Sequence, residues 1–358
     1  MCGLRKLTYF NRTREQTIDV PISATPAGVA SVGIVVASDD GYIRFYRSDL
    51  DKVFWERRVS SGVYASLIVD PVRKWVVVAT TNGLIVALDL RGNVQWSVET
   101  KTSICATPLL LPDADILVVA GFGARCFGFD MPTGNRVFER TLPPPWHTDY
   151  GGKAAHRDPY ASPVTTSGST FVLCCAEQVL AFAADGTELW RSDAGHSVKA
   201  SPAFLESTGE VAVCTVAGEC HFIDRSGDIV GSCDLGAKVT ASPAVSGGIL
   251  AVGVVSDAVI GIDAHRRAPR WEMCHGGPRS YTSITVSPAG DFVYTNCRGN
   301  VMCVRSADGH FLWETSQVLG LADHTPDLDI TPLVVDDGTM YCGSYTGYLY
   351  QFRFQREV

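Results

Sequence analysis

The sequence predicts an all-β fold: an eight-bladed β-propeller of four-stranded antiparallel blades, closed by an N-terminal strand that joins the last blade. Three observations predict it. Paired β-rich runs such as "WVVVATTNGLIVALDL" and "GILAVGVVSDAVIGID" are joined by Gly, Asn or Asp turns, and no convincing amphipathic helix separates them. A short anchor, Ala or Ile followed by Ser/Thr-Pro, returns along the whole chain. A tryptophan returns with it at a period of about forty residues, the length of one propeller blade.

The anchors stand at Ala24-Thr25-Pro26, Ala106-Thr107-Pro108, Ala161-Ser162-Pro163, Ala200-Ser201-Pro202, Ala241-Ser242-Pro243 and Ile330-Thr331-Pro332, with weaker copies at Ala65-Ser66-Leu67 and Thr282-Ser283-Ile284. These eight starts, near 24, 65, 106, 161, 200, 241, 282 and 330, divide residues 1–358 into the repeats of a single propeller domain. Each anchor should open an innermost strand, where Pro is tolerated because it has no ladder donor to lose. The tryptophan position is held by Trp55, Trp96, Phe138, Trp190, Gly231, Trp271 and Trp313, in steps of 41, 42, 52, 41, 40 and 42 residues. In three repeats a Gly precedes the Trp by four residues (Gly92, Gly186, Gly309). An indole lying between blades buries about 200 Å² and locks one sheet onto the next. The eighth repeat ends at "GYLYQFRFQREV" without its Trp strand, so residues 7–19 are expected to complete blade 8. Closure removes the open edges that invite aggregation.

"ALDLRGNVQW", "AFAADGTELW" and "VRSADGHFLW", each followed about ten residues later by an anchor, resemble the PQQ-like (quinoprotein-type) propeller repeat over nearly the whole chain. The resemblance implies the fold. The family holds quinone-dependent alcohol dehydrogenases, a lipoprotein of outer-membrane assembly and modules attached to adenylating enzymes. A dehydrogenase of this kind carries calcium and a quinone on the axis, under a vicinal disulfide. Cys174-Cys175 is a vicinal pair, but it falls inside the strand-like run "TFVLCCAEQVLAF", where alternate side chains point to opposite faces. The sequence therefore assigns no cofactor, quinone included.

Composition narrows the rest. With 46% apolar and 19% charged residues, the chain has enough apolar side chains for a sizeable core. A net charge of −8 without a basic run argues against nucleic acid as a partner. The N-terminal stretch "MCGLRKLTYFNRTREQ" lacks a signal-like apolar core, and no later run is long enough to span a bilayer, so the expectation is a cytoplasmic protein with no membrane partner. Twelve cysteines fall mostly in strand-like runs, with no C-x-x-C pair, which reads as free thiols and no assigned metal site.

Ligands of propellers collect where the loops entering the inner strands converge. The residue before each anchor gives a ring of Ser23, Tyr64, Cys105, Tyr160, Lys199, Thr240, Tyr281 and Asp329. Such a ring could be no more than a wet channel mouth, yet tyrosines, a lysine and an aspartate around one space also supply donors, acceptors and acid/base groups. Two connections are long: Leu142 to Pro163, which contains Trp146, His156 and Asp158, and Ser316 to Pro332, which contains His324 and Asp327. They enter opposite blades, so both could reach over the funnel as lids, pairing a histidine with a carboxylate as proton transfer requires. The alternative is that the aspartates make turns and the histidines are solvated. A two-histidine, carboxylate metal site between the loops is a further option. His196 and Arg279 lie on loops of the same class and are added as ligand-binding candidates, with Tyr64, Lys199, Tyr281 and Trp146; the catalytic candidates are His156, Asp158, Tyr160, His324 and Asp329.

Three functions follow from these observations. The leading one is a cytoplasmic propeller that binds a small organic molecule in its funnel and acts on it, if at all, by cofactor-independent acid/base chemistry of the lyase, cyclase or hydrolase kind. The second is a non-catalytic scaffold that offers a propeller face to a protein partner. The third is a quinone- or metal-dependent oxidoreductase.

Overall fold

In the computed structural model, residues 7–9, 14–29, 32–144, 161–274, 276–278, 282–336 and 339–356 are described. They form eight antiparallel sheets arranged in a ring. Blade 1 comprises Ala27–Val29, Gly33–Ala37, Tyr42–Arg47 and Val53–Arg58, and six more four-stranded blades follow in chain order. Each inner strand lies beside the next, and the inner strand of blade 8, Leu333–Asp336, returns to lie beside Ala27–Val29. The eight anchors immediately precede the eight inner strands.

Blade 8 closes the ring as the sequence led us to expect. Its last strand, Tyr348–Arg356, pairs on one edge with Thr339–Gly343 and on the other with two N-terminal pieces. Arg14–Thr17 lies against Tyr348–Gln351, and Leu7–Tyr9 lies against Phe354–Arg356. Gln16 then reaches into blade 1, its Nε2 donating to Leu50 O at 2.8 Å.

The core consists of apolar layers between blades, one such layer joining Ala200, Ala203, Leu205 and Phe222 of blade 5 to Leu250, Val252 and Ile260 of blade 6. Docking aromatics cap the layers. Trp55, Trp96 and Trp271 donate their indole N–H to the carbonyls of Leu90, Met131 and Ser306 in the following blade, at 2.9, 2.8 and 3.0 Å. The glycine of that following turn is the seat for the ring. A Cβ on Gly134 would stand 2.7 Å from Trp96, and one on Gly309 would stand 2.5 Å from Trp271. Both glycines also have positive φ, 72° and 67°, which L side chains rarely adopt. Phe138 fills the equivalent position in blade 3 and packs on Gly186.

Blade 5 solves the same problem differently. Gly231 stands where other blades carry the aromatic, and its cross-strand partner Phe222 supplies bulk. The stem of Arg267, from the blade 6 turn, lies over Gly231, where a Cβ would be 2.5 Å from Arg267 Cδ. The guanidinium continues to Glu210 of blade 5, with Nη2 2.5 Å from Oε1 and Nε 3.1 Å from Oε2. Arg267 occupies the slot that Gly fills in neighbouring repeats, so bulk and glycine have changed places across this interface.

One α-helix interrupts the β-architecture among the described residues. Thr315–Leu319, ended by Gly320 at φ 70°, begins the connection from blade 7 to blade 8. No helix of the described residues is long and apolar enough to cross a membrane.

Candidate functional site

The anchors build the site from the inside. In six of the eight blades Pro removes the backbone donor just before the inner strand, with Leu67 and Ile284 in its place in the other two, and the neighbouring Ser or Thr turns its hydroxyl toward the adjacent blade. The backbone N–H of Ser66 donates to Thr107 Oγ1 at 3.2 Å, that of Thr107 to Ser162 Oγ at 2.9 Å, and that of Ser162 to Ser201 Oγ at 2.9 Å. The series continues from Ser201 to Ser242 Oγ at 3.0 Å, and from Ser283 to Thr331 Oγ1 at 2.8 Å. Ser242 Oγ also donates back to Ser201 Oγ at 3.1 Å. Each link gives a partner to a backbone donor of the anchor just before the inner strand. The anchor serine or threonine is thus a blade-to-blade connector, which accounts for a hydroxyl at this position in all eight repeats.

All eight anchor hydroxyl residues line a cavity of about 470 Å³ on the axis. Six of the eight residues in the sequence-derived ring line it too: Ser23, Tyr64, Cys105, Lys199, Thr240 and Asp329. The other two, Tyr160 and Tyr281, lie outside the described residues. Tyr64 is 50% exposed, at the mouth. Asp329 is buried and its Oδ2 accepts the backbone N–H of Tyr345 at 2.7 Å. Tyr345 itself is 48% exposed and lines the cavity, a site residue that the anchor-based ring missed. It sits on the turn between the second and third strands of blade 8, in "SYTG", where its aromatic ring in a glycine turn was the available signal. Ser23 donates to Asp39 Oδ2 at 2.9 Å. Burial pushes the Asp39 carboxyl up from its ordinary value, and the Ser23 hydrogen bonds offset part of that rise.

The lid expectation is corrected for the second long connection. His324 is only 1% exposed and does not line the funnel. Its backbone N–H donates to Asn300 Oδ1 at 2.9 Å, its Nδ1 lies 2.7 Å from Pro326 O, and its ring meets Tyr350 edge-on at 4.9 Å. The imidazole is packed between blades because an aromatic ladder, Tyr348, Tyr350 and Phe352, gives it an apolar wall. It holds the connection in the seam, while Asp329 is fixed at the axis by its own N–H to Gly343 O and by Tyr345 N–H. Asp327 packs against Gly299. His196 is exposed and stands outside the cavity lining. Trp146, His156, Asp158 and Arg279 lie outside the described residues.

Cys174 and Cys175 are buried, facing opposite blades: Cys174 packs with Val211 and Val213 of blade 5, Cys175 with residues of blade 3. Neither lines the funnel. Among the described residues no group of three or more His, Cys, Asp or Glu could hold a metal ion. Asp329 is the lone carboxylate among the described lining residues. These residues do not fit a calcium-quinone pair.

Eight antiparallel blades around a polar axial cavity, joined by docking aromatics, define an eight-bladed propeller of the quinoprotein type. The chain belongs to the family described as "Outer membrane protein assembly factor BamB", whose model matches residues 11–182 and again 175–357. Among solved structures it is similar to BamB from Moraxella catarrhalis (17% identity, 97% of this chain, 100% of that chain, TM-score 0.74). It is also similar to Sqt1 from Saccharomyces cerevisiae (13% identity, 98% of each chain, TM-score 0.75). A europium-containing methanol dehydrogenase is a third (14% identity, 97% of this chain, 95% of that chain, TM-score 0.71). At these identities the likeness shows the fold. A search of curated proteins found no match.

Proposed function

We propose that the protein is a binding propeller whose axial funnel receives a small polar organic molecule. The observation that carries this reading is the 470 Å³ cavity itself, in which Lys199, Asp329, Tyr64 and Tyr345 surround a belt of hydroxyls. That volume lies within the range of about 300–1,000 Å³ usual for ligand sites. Lys199 supplies a cation, Asp329 an anion, and the two tyrosines flat apolar surface with a polar tip. Any turnover would draw on Asp329 and Tyr64 for proton transfer, together with His156, Asp158 and Tyr160 of the first long connection; His324 plays no part in it. A reducing, cytoplasmic setting fits the free thiols.

The test is a thermal-shift and calorimetric screen against a panel of small organic acids, amines and sugars. A ligand of the funnel should lose at least ten-fold in affinity on Lys199→Ala or Tyr64→Ala. If no member binds, or if both variants bind as the wild type does, the reading fails.

A second reading, a scaffold for a protein partner, is favoured by the family description as an assembly factor. Under it, the exposed rims of Tyr64 and Tyr345 would grip a partner's projecting segment at the mouth of the funnel. It predicts that the panel fails while a defined partner is lost on Tyr64→Ala or Tyr345→Ala.

A further inference from the structure

Blade 5 carries three thiols side by side. Cys214 is the cross-strand partner of Cys220, and Cys220 is the cross-strand partner of Cys233. In-register neighbours share a sheet face, and all three belong to the layer between blades 5 and 6. Thr215 N–H bonds to Glu219 O, and Leu235 N–H bonds to Gly218 O. By the alternation of an antiparallel ladder, Cys214/Cys220 is then a non-hydrogen-bonded pair and Cys220/Cys233 a hydrogen-bonded one, with Cα atoms about 4.5 and about 5.5 Å apart. Both spacings suit a disulfide.

The three differ in access. Cys214 and Cys220 are buried, while Cys233, on the outer strand Ile229–Asp234, is partly exposed. Two residues before it, on the same face, stands Gly231, so no docking indole covers this stretch of blade 5.

We propose that Cys233 and Cys220 are an oxidisable pair, which closes to a cross-strand disulfide when the protein meets hydrogen peroxide. In the first step the Cys233 sulfur attacks one peroxide oxygen, the O–O bond breaks, and the departing hydroxide takes up the Cys233 proton as water. Cys233 is left as a sulfenic acid. The Cys220 sulfur then attacks the Cys233 sulfur, the S–O bond breaks, and hydroxide leaves with the Cys220 proton as a second water. Two thiols lose two electrons, and one peroxide becomes two waters. The local chemistry supports that order. Cys220 lowers the pKa of Cys233 by hydrogen bonding to it, against burial and the nearby Asp234, and a thiolate is the form that attacks. The exposed competitors are poorer nucleophile sources at neutral pH: Glu272 raises Cys274, and burial followed by Asp257 raises Cys297. Deeply buried Cys126 and Cys342 are pushed up to about 12 by desolvation.

The experiment is to treat the full-length protein with a modest molar excess of hydrogen peroxide, block free thiols, digest with trypsin without reduction and map the cysteines by mass spectrometry. Cleavage after Lys199, Arg225 and Lys238 places Cys214 and Cys220 in one peptide and Cys233 in another. The expected product is a disulfide between those two peptides, reversed by dithiothreitol, with Cys233 losing free thiol several-fold faster than Cys274 or Cys297. Cys220→Ala should abolish the cross-link and leave a dimedone-trappable sulfenic acid at Cys233. The proposal is overturned if Cys233 stays a free thiol, if the bond forms within the Cys214–Cys220 peptide instead, or if Cys274 and Cys297 are oxidised first. Should Cys220→Ala not fold, the wild-type map decides alone.

Discussion

The interface between blades 2 and 3 and the interface between blades 5 and 6 perform the same task with opposite parts. In the first, Trp96 of the earlier blade lies on Gly134 of the later one and donates its indole N–H forward to Met131 O. In the second, Arg267 of the later blade lies on Gly231 of the earlier one and sends its guanidinium back to Glu210. What matters to the ring is that one partner is large and the other is glycine. Which side supplies the bulk is free, but the chemistry that comes with it is not: the indole brings apolar area and one neutral hydrogen bond, the arginine an ion pair.

Breaking the indole side should have the largest effect. Trp96→Ala removes a buried ring between two blades and is expected to cost about 3–5 kcal/mol, read as a lower midpoint in chemical denaturation. The arginine side can be tested by exchange. Gly231→Trp alone should destabilise by about 1–3 kcal/mol through overpacking against Arg267, and Arg267→Gly alone should leave Glu210 buried without its cation. Combined, they recreate the arrangement of the other blades. Trp55 opposite Phe45 shows that an aromatic facing another across the strands is tolerated, so Phe222 can remain. The double variant should therefore recover part of the loss, with a coupling of about 1–3 kcal/mol in a double-mutant cycle. Purely additive costs would mean that the two residues do not share one slot.

Smaller effects refine the contrast. Glu210→Gln keeps the shape but removes the charge, and we expect a loss of about 1–2 kcal/mol that shrinks at high salt, whereas Trp96→Ala should be insensitive to salt. Asp39 lies outside both interfaces and serves as a pH control. Its pKa is raised by burial, so folding favours the neutral carboxyl. That contribution is complete below the ordinary value of 3.8 and is lost as pH rises through the folded value. Asp39→Asn should raise Tm at neutral pH and leave it unchanged in acid, below both values.

The propeller was legible because its constraints are periodic. A strand that must begin at the axis needs the same Ser/Thr-Pro start each time, and a gap between blades needs the same indole, so both signals repeat at one spacing. The exchange at Gly231 and Arg267 was legible in halves. The missing Trp and the missing Gly before Trp271 were both visible, but only the packing of one blade on the next joins them. The site divides in the same way. The ring residues Tyr64, Lys199 and Asp329 follow from the anchor position and line the cavity. His324 does not, because its direction is set by Asn300 of blade 7 and Tyr350 of blade 8, neither of which lies near it in sequence. A loop's composition does not say whether it covers an opening or fills a seam. The helix Thr315–Leu319 was hidden for a simpler reason: five residues are too few to display a helical period.

The seam in blade 8 sets an order of events for a chain made from its N-terminus. Arg14–Thr17 emerges before any blade, yet its partner, Tyr348–Gln351, is made only after seven blades have had time to form. Until then the N-terminal strands have no sheet, and the last strand of blade 8 has no partner on its outer edge. The ring is therefore latched last, by a contact that spans nearly the whole sequence and whose closure entropy falls as the intervening blades form and bring its two ends together. Covalently joining the neighbourhoods of Leu7 and Arg356, which already face each other, and reopening the chain between two other blades would move that latch. Refolding rates of such rearranged chains would report how much of the barrier is the wait for the last strand.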